Sequence, residues 1–552
     1  MIGRREFLLG ASGAALAGAA ESPPGFHLTD VTAASGLHFT HNTGAYGDKF
    51  LPETMGPGCA FIDYDNDGWL DILIANGTDW PGHVRQHSTL RLYRNNRNGT
   101  FTDVTVQAGL NVEMYSMGFA VADYDNDGWP DIYVTCVGQS RLFHNTGKGH
   151  FVDVTARSGL GARSSFSTSA LWFDYDRDGL LDLFVCNYVN WSQQHDVFCA
   201  NDGKNKSYCT PEAYRGSTCW LFRNKGDGTF EDATAKSGIF DSTSKSLGVA
   251  MFDYDRDGWL DLIVANDTQP NKLYRNNKDG TFLEIGVRAG IAFSEDGKAR
   301  AGMGIDVADF ENSGMAGIAI TNFDNEMMAL HRGGTLADVA LKTGVGVASR
   351  NSLGFGCLFA DLDLDGWLDL VAVNGHIDAT ARNLRPGAVY AQAPNLFLNE
   401  SRGTKFRDVA KEVGAGFASP KVARGLACGD FDRDGDVDLL VTTNGGPALL
   451  YRNDLTNGNR SIRLRLQGTK SNRDAIGAVV RLFTPDGEQM RMVKTGSSYL
   501  SQSELALTFG LGHGRDTADR IVVEWPSGRT DEFKKLTAGR YEVIEGKAPQ
   551  RE

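Results

Sequence analysis

A nine-residue acidic pattern recurs along this chain and limits what it can become. Asp63–Asp71 reads DYDNDGWLD, Asp123–Asp131 DYDNDGWPD and Asp174–Asp182 DYDRDGLLD. Asp253–Asp261 reads DYDRDGWLD, Asp361–Asp369 DLDLDGWLD and Asp430–Asp438 DFDRDGDVD. Aspartate stands at loop positions 1, 3, 5 and 9 each time. The expected ligand sets are Asp63, Asp65, Asp67 and Asp71; Asp123, Asp125, Asp127 and Asp131; and Asp174, Asp176, Asp178 and Asp182. The later ones are Asp253, Asp255, Asp257 and Asp261; Asp361, Asp363, Asp365 and Asp369; and Asp430, Asp432, Asp434 and Asp438. Four carboxylates in nine residues repel one another unless a cation sits among them. Hard oxygen donors around a mid-loop glycine suit Ca²⁺, whereas Mg²⁺ demands a stricter octahedron and retains its waters. Glycine at position 6 permits the sharp turn. About six calcium sites are expected. A seventh copy, DFENSGMAG (Asp309–Gly317), carries Ser313 and Gly317 in place of aspartate, so no tight site is expected there.

The loop start matches an EF-hand, but that motif needs a glutamate at position 12 and flanking helices. Position 12 is Ile74, Val134, Val185, Val264, Ala372 or Val441. The flanks are short β-branched and aromatic runs such as CAFID and ILIAN, which read as strands. Each acidic loop therefore joins two strands of a hairpin. A third strand and a further hairpin follow, as in LYRNNRNGTFTDVTVQAGL (Leu92–Leu110) and LFRNKGDGTFEDATAKSGI (Leu221–Ile239), with the turn at the GTF corner. Four short strands repeated at this spacing predict propeller blades. The segment GFHLTDVTAASGL (Gly25–Leu37) is a blade's last strand without its first three, and the final repeat lacks that ending. The two ends are expected to pair and close the ring without a free edge. The fold expected is all-β: a seven-bladed β-propeller over residues 25–454, followed by a β-sandwich-like domain over 459–546.

The formal net charge is −14, which argues against a nucleic-acid backbone as partner. Six divalent cations, twelve positive charges, would bring it to −2. Residues 1–20 place Arg4 and Arg5 before an apolar stretch and small residues near Ala19 and Ala20, so they read as an export signal of twin-arginine type. An ordinary secretory signal is the alternative. No stable membrane anchor is expected after cleavage, and the protein is placed in the periplasm or secreted. An insertion at 187–220 is polar and turn-rich and is expected to lie across one face. It holds Cys199, Cys209 and Cys219, with Cys186 a further partner; an oxidising compartment favours a bridge among them. Which two pair stays open.

From Asn459 the pattern changes to alternating strands without acidic loops. The acidic loops and their LYRNNxDGTFxDV partners resemble the FG-GAP/VCBS repeats of integrin α-subunit propellers. The C-terminal strings GTKSNRDAIGAVVRLF, YLSQSE, LTFGLG and VEWPSGRT resemble the ASPIC/UnbV family of cartilage acidic protein-like chains. The resemblance implies a secreted calcium-binding propeller with an appended β-domain. UnbV relatives are associated with enediyne biosynthesis, which keeps an enzymatic reading open.

Outside the repeats, His41, Glu53 and His376 are the candidate catalytic residues; His376, with Asp378, Asp267, Asn322, Asp324 and Glu326, follows the second strand of a blade, whereas His41 and Glu53 precede the first one. Gathered on one rim, a His–Glu pair could do acid/base work on a sugar or a polyketide-like substrate. The same groups could instead cap strands and bond loop backbone. No nucleophile elbow, zinc-binding helix motif or phosphate loop is present. Three functions remain: a non-enzymatic binding module for an extracytoplasmic protein or glycan, an enzyme using the His/Glu rim, or a transport or assembly partner exported after folding.

Overall fold

The computed structural model describes residues 23–83, 87–380 and 387–552. The expected export signal lies outside these residues.

The acidic loops sit where the sequence places them, at the tips of antiparallel hairpins. In the first repeat unit, Cys59–Ile62 pairs Asp71–Ile74 with Ile62 opposite Asp71. Arg91–Asn95 and Phe101–Asp103 complete a four-stranded sheet in sequence order. The units starting at Ser116, Ser165, Ser246 and Gly354 repeat this order. Those starting at Ser116 and Ser165 fuse into one sheet, because Ser165 and Phe166 pair Gly138 and Val137. The unit starting at Ile305 keeps three strands, and only an isolated bridge, His331 to Asp338, stands for its fourth. The last unit, Ala423–Gly429, Asp438–Thr443 and Ala448–Leu455, takes Phe26–Asp30 as its outer strand, with Phe26 opposite Leu455. The first strands of the seven units touch one another in cyclic order, and Ala423–Gly429 returns to Cys59–Ile62. The expected closure is what the structure contains.

The carboxylate at loop position 9 locks each of the six units with a complete loop. Asp261 Oδ2 accepts the Tyr254 N–H (2.7 Å) and Oδ1 accepts the Asn276 N–H (2.7 Å). The Asn276 side-chain Nδ2 then donates to Tyr175 O (2.9 Å) in the preceding unit. Asn95, Asn145, Asn224, Asn399 and Asn453 make the same reach to Phe431, Tyr64, Tyr124, Phe310 and Leu362. The unit starting at Ile305 has Gly317 for the aspartate and Gly333 for the asparagine, so it lacks both halves of this clasp.

The C-terminal domain is a sandwich of two four-stranded sheets. Ser461–Gln467 runs between Leu507–Gly510 and, in parallel, Gly539–Ile544. Val479–Thr484 runs between Gly487–Met492 and Thr517–Glu524. Leu464, Val480, Phe509, Ile521 and Val543 fill the space between them. The insertion spans the opposite face of the propeller. Trp191 packs on Phe50 and Trp80, Tyr208 bonds Glu53, and Lys245 Nζ donates to Pro211 O. Cys199 and Cys209 form a disulfide; Cys186, on the strand Asp182–Asn187, and Cys219, just before the neighbouring strand Trp220–Asn224, are buried thiols.

Asn276→Ala should remove one clasp and leave the Tyr175 carbonyl unpaired, lowering stability by about 1–3 kcal/mol in a denaturant titration.

Candidate metal loops and the axial plug

The acidic loops share one backbone design. Position 1 accepts two N–H groups: Asp63 Oδ1 from Asp67 and Oδ2 from Gly68, repeated at Asp123, Asp174 and Asp253. Position 5 accepts from position 7, as Asp257 does from Trp259. The turn puts position 4 and the glycine at positive φ, 52° at Asn66 and 84° at Gly68, which favours asparagine and glycine there.

This design gathers oxygens. Carboxylate oxygens of Asp63, Asp65 and Asp71 lie within 4.8 Å of one another, as do those of Asp123, Asp125 and Asp131, of Asp174, Asp176 and Asp182, and of Asp253, Asp255 and Asp261. Asp65, Asp176, Asp361 and Asp430 each hold a buried Oδ1 with no hydrogen-bond partner. Burial pushes Asp71, Asp182, Asp369 and Asp438 far above the usual carboxylate range, Asp123 to about 8 and Asp261 to about 7. Oxygen-only donors, orphaned lone pairs and charges too crowded to ionise together fit a hard divalent cation. These clusters could hold metal ions.

Cationic side chains already lean on several loops. Arg223 Nε lies 2.6 Å from Asp176 Oδ2 and its Nη2 2.8 Å from Asp178 Oδ2. Arg275 reaches Asp255 at 3.1 Å, Lys278 reaches Asp257 at 3.0 Å, and His144 Nδ1 lies 3.2 Å from Asp131. The basic residue of each LYRN or LFHN string supplies most of these contacts, a signal present in the sequence and not used above. In the altered seventh loop, Asp309 still accepts from Ser313 and Gly314, but Glu311 is held by Arg332 and Gly317 offers no oxygen.

The β-domain sits on the face that carries these loops. Arg463 and Arg540 both bond Asp430, at 3.1 and 2.5 Å. Arg473 lies 3.7 Å from Asp123 and Arg465 3.9 Å from Asp63. From this face the segment 494–505 enters the axis of the ring. Gln502 N donates to Cys59 O and its carbonyl accepts from Phe61. Its side-chain amide bonds both Val121 groups, Oε1 accepting at 2.8 Å and Nε2 donating at 2.7 Å. Leu500 O accepts from Phe119, Ser498 O from Ile305, and Thr495 Oγ1 from Trp172. Ser503 Oγ accepts from Cys428, and Tyr499 packs on Phe355 and donates to Met55 O. The plug thus touches the inner strands of six units. Glycine makes room for it: a Cβ on Gly58 or Gly118 would stand 2.0 or 2.4 Å from Leu500 O. A glycine heading an inner strand was the available signal.

The three catalytic candidates surround the buried Arg424. Its Nε donates to Thr54 O, beside Glu53, and its Nη2 to His376 O. His41 Nδ1 accepts from Gly445, and burial with the Arg424 charge lowers its pKa to about 3. Glu53 Oε2 accepts from Tyr208 (3.0 Å), and burial raises its carboxyl to about 7. His376 Nδ1 accepts from Asp378, and burial lowers it. Their exposures are 3, 1 and 6%, and no hydrogen bond joins any two of them among the described residues. They meet as packed groups rather than on an open rim.

Hairpin-tip acidic loops, a closed ring and an appended sandwich define a repeat propeller with a docked β-domain. The FG-GAP-like repeat family matches residues 63–134, 129–185, 193–264 and 253–320, and the ASPIC and UnbV family matches 468–550. The chain thus carries FG-GAP-like repeats and a C-terminal segment that matches the ASPIC and UnbV family. It is 26% identical over 343 residues to human cartilage acidic protein 1, covering 61% of this chain and 40% of that protein. The Mus musculus protein is 25% identical over 366 residues, 65% of this chain and 44% of the relative. The chain thus spans well under half the length of these relatives. Among solved structures it is similar to an Agrocybe aegerita lectin that recognises non-reducing terminal N-acetylglucosamine (TM-score 0.37, 16% identity, 66% of this chain, 87% of that one). It is also similar to YCF48 bound to D1 peptide (TM-score 0.41, 7% identity, 77% and 94%).

Gln502→Leu keeps the shape of the plug and strips both Val121 backbone groups of their partner. Each buried unpaired group costs about 1–3 kcal/mol, so the variant should unfold at distinctly lower denaturant than the parent. An unchanged midpoint would mean that the plug does not hold the axis in solution.

Proposed function

We propose that the protein is an exported, calcium-binding interaction module whose free propeller face engages a protein or a glycan outside the cytoplasm. The contrast between the two faces carries this reading. The loop face is covered by the β-domain and the axis is filled by its plug. The opposite face keeps a disulfide-tied insertion that presents Phe198, 65% exposed, and Val197 beside it. An aromatic ring held on a tied loop offers a platform for a sugar face or an apolar peptide side chain. The burial of His41, Glu53 and His376 supports binding over catalysis. The leader-like residues 1–20 and the disulfide support export, and among the described residues no helix is long and apolar enough to cross a membrane.

Calcium would be held by positions 1, 3, 5 and 9 of six loops. A bound ion would neutralise the buried carboxylates and tighten the hairpin tips against the β-domain. A ligand that binds only the folded state adds RT ln(1 + [L]/Kd) to stability. Exhaustive chelation should therefore lower the melting temperature and calcium should restore it; an identical melt would count against structural calcium. Asp255→Ala should reduce the calcium-dependent shift, whereas Glu311→Ala should leave it intact.

The partner reading is tested on glycan and peptide arrays in millimolar calcium. Phe198→Ala should weaken the best binder roughly tenfold with no change in melting temperature. Equal affinity in the variant would move the contact surface elsewhere, and arrays without any saturable binder would remove the reading.

A further inference from the structure

A cavity of about 440 Å³ lies between the β-domain and the loop ends of the last four units. That volume falls within the range of small-molecule sites, and the boundary between two domains is a common place for one. The cavity is separate from the free face and goes beyond the function proposed for it.

Its walls are mainly apolar. Leu358, Ala360 and Val437 come from the propeller, and Met492 and Leu505 from the β-domain. Met315 stands half-buried at the rim, and its flexible side chain can adjust to an occupant.

The charged groups on these walls are nearly all engaged. Asp306 holds Lys494, Glu524 pairs Arg481 at 3.0 Å, and Glu504 binds Arg463, which lies outside the cavity. Asp253 and Asp309 accept loop backbone N–H groups, and Asp361 Oδ2 accepts from Gly366 of its loop and Gly510 of the β-domain while its Oδ1 is buried without a partner. Arg256 is exposed to solvent.

Arg491 differs from all of these. It is 9% exposed, lines the cavity and lies over the Phe509 ring at 5.5 Å; Asp361, Asp309 and Asp365 act on its charge from a distance, but its guanidinium forms no ion pair within 4 Å among the described residues. One Nη donates to its neighbour Met490 O (3.0 Å), the other reaches Gln489 Oε1 at 3.5 Å, and Nε is buried without an acceptor. A buried guanidinium with an unmet N–H beside an apolar cavity is costly as it stands and complementary to a carboxylate brought in with an apolar body.

We propose that this interdomain cavity binds a small amphipathic carboxylate, its carboxylate on Arg491 and its apolar body against Leu358, Ala360 and Leu505. Binding there would bridge the two domains, since Arg491 and Leu505 belong to one and Leu358 and Ala360 to the other.

The test is calorimetric titration of the full mature chain, in millimolar calcium, with 4-butylbenzoate and with the uncharged 4-butylbenzamide. The benzoate should bind once per chain and more tightly than the amide. Arg491→Met should weaken the benzoate roughly tenfold to a hundredfold and leave the amide unchanged. If Arg491→Met does not fold, Met315→Trp serves instead: it places a larger ring at the rim and should abolish binding of the benzoate. Benzoate and amide binding alike, no saturable binding of either, or full benzoate affinity in whichever of the two variants folds would overturn the proposal.

Discussion

A buried carboxylate that must be satisfied is the constraint on which this ring depends. The position 9 aspartate is 0–1% exposed in all six complete loops. Desolvation penalises its charge, and two backbone N–H groups answer only part of that cost. What the unit gains is geometry. One oxygen fixes the start of the loop, the other fixes the third strand, and the asparagine there reaches the preceding unit. The residue that closes a hairpin therefore also sets the spacing between hairpins. A cation would serve the same carboxylates from the open side of the loop, so metal affinity and ring stability draw on one set of atoms.

The unit starting at Ile305 shows what happens when that set is lost. Gly317 and Gly333 remove the carboxylate and the asparagine, the sheet drops to three strands, and Glu311 turns to Arg332. The unit stays in the ring because other contacts hold it. Ile305 donates to Ser498 of the plug, and Lys494 binds Asp306 and Val307 O. The plug answers a general problem of such rings: inner strands are edge strands, and their backbone groups face a channel. Phe61, Phe119, Trp172, Ile305 and Cys428 all donate to residues of 494–505. One short polar segment thus saturates edges that would otherwise need water.

Local pattern carried the loops, the hairpins and the ring closure into view at the level of sequence. Those features repeat with fixed spacing, and a strand without its partners at one end matches a missing strand at the other. The plug was not legible in the same way. SSYLSQSE reads as a turn-rich polar stretch, and nothing local says that Gln502 will bond Val121 from the far side of the chain. The cysteines mark a similar limit. Four candidates allowed several pairings, and only the folded insertion brings Cys199 to Cys209 while Cys186 and Cys219 remain buried thiols. His41, Glu53 and His376 lie around one buried arginine, Arg424, although only His376 follows a blade's second strand. Their burial around Arg424 depends on long-range packing that no motif encodes.

The position 1 aspartates tie these levels together. At Asp63, Asp123 and Asp430 the oxygen that accepts the loop glycine N–H also faces an arginine of the β-domain. The same carboxylates supply oxygens to the loop clusters or, at Asp430, an orphaned buried oxygen. A charge added to the loop and a charge held by the domain therefore act on one group from two sides. A cation in the loop would shield the carboxylate from its aspartate neighbours, and the arginine holds it in register with the domain. Asp430 is the buried case: without Arg463 only the partly exposed Arg540 would answer its charge. The β-domain is thus held to the propeller in part through carboxylates that also organise the acidic loops.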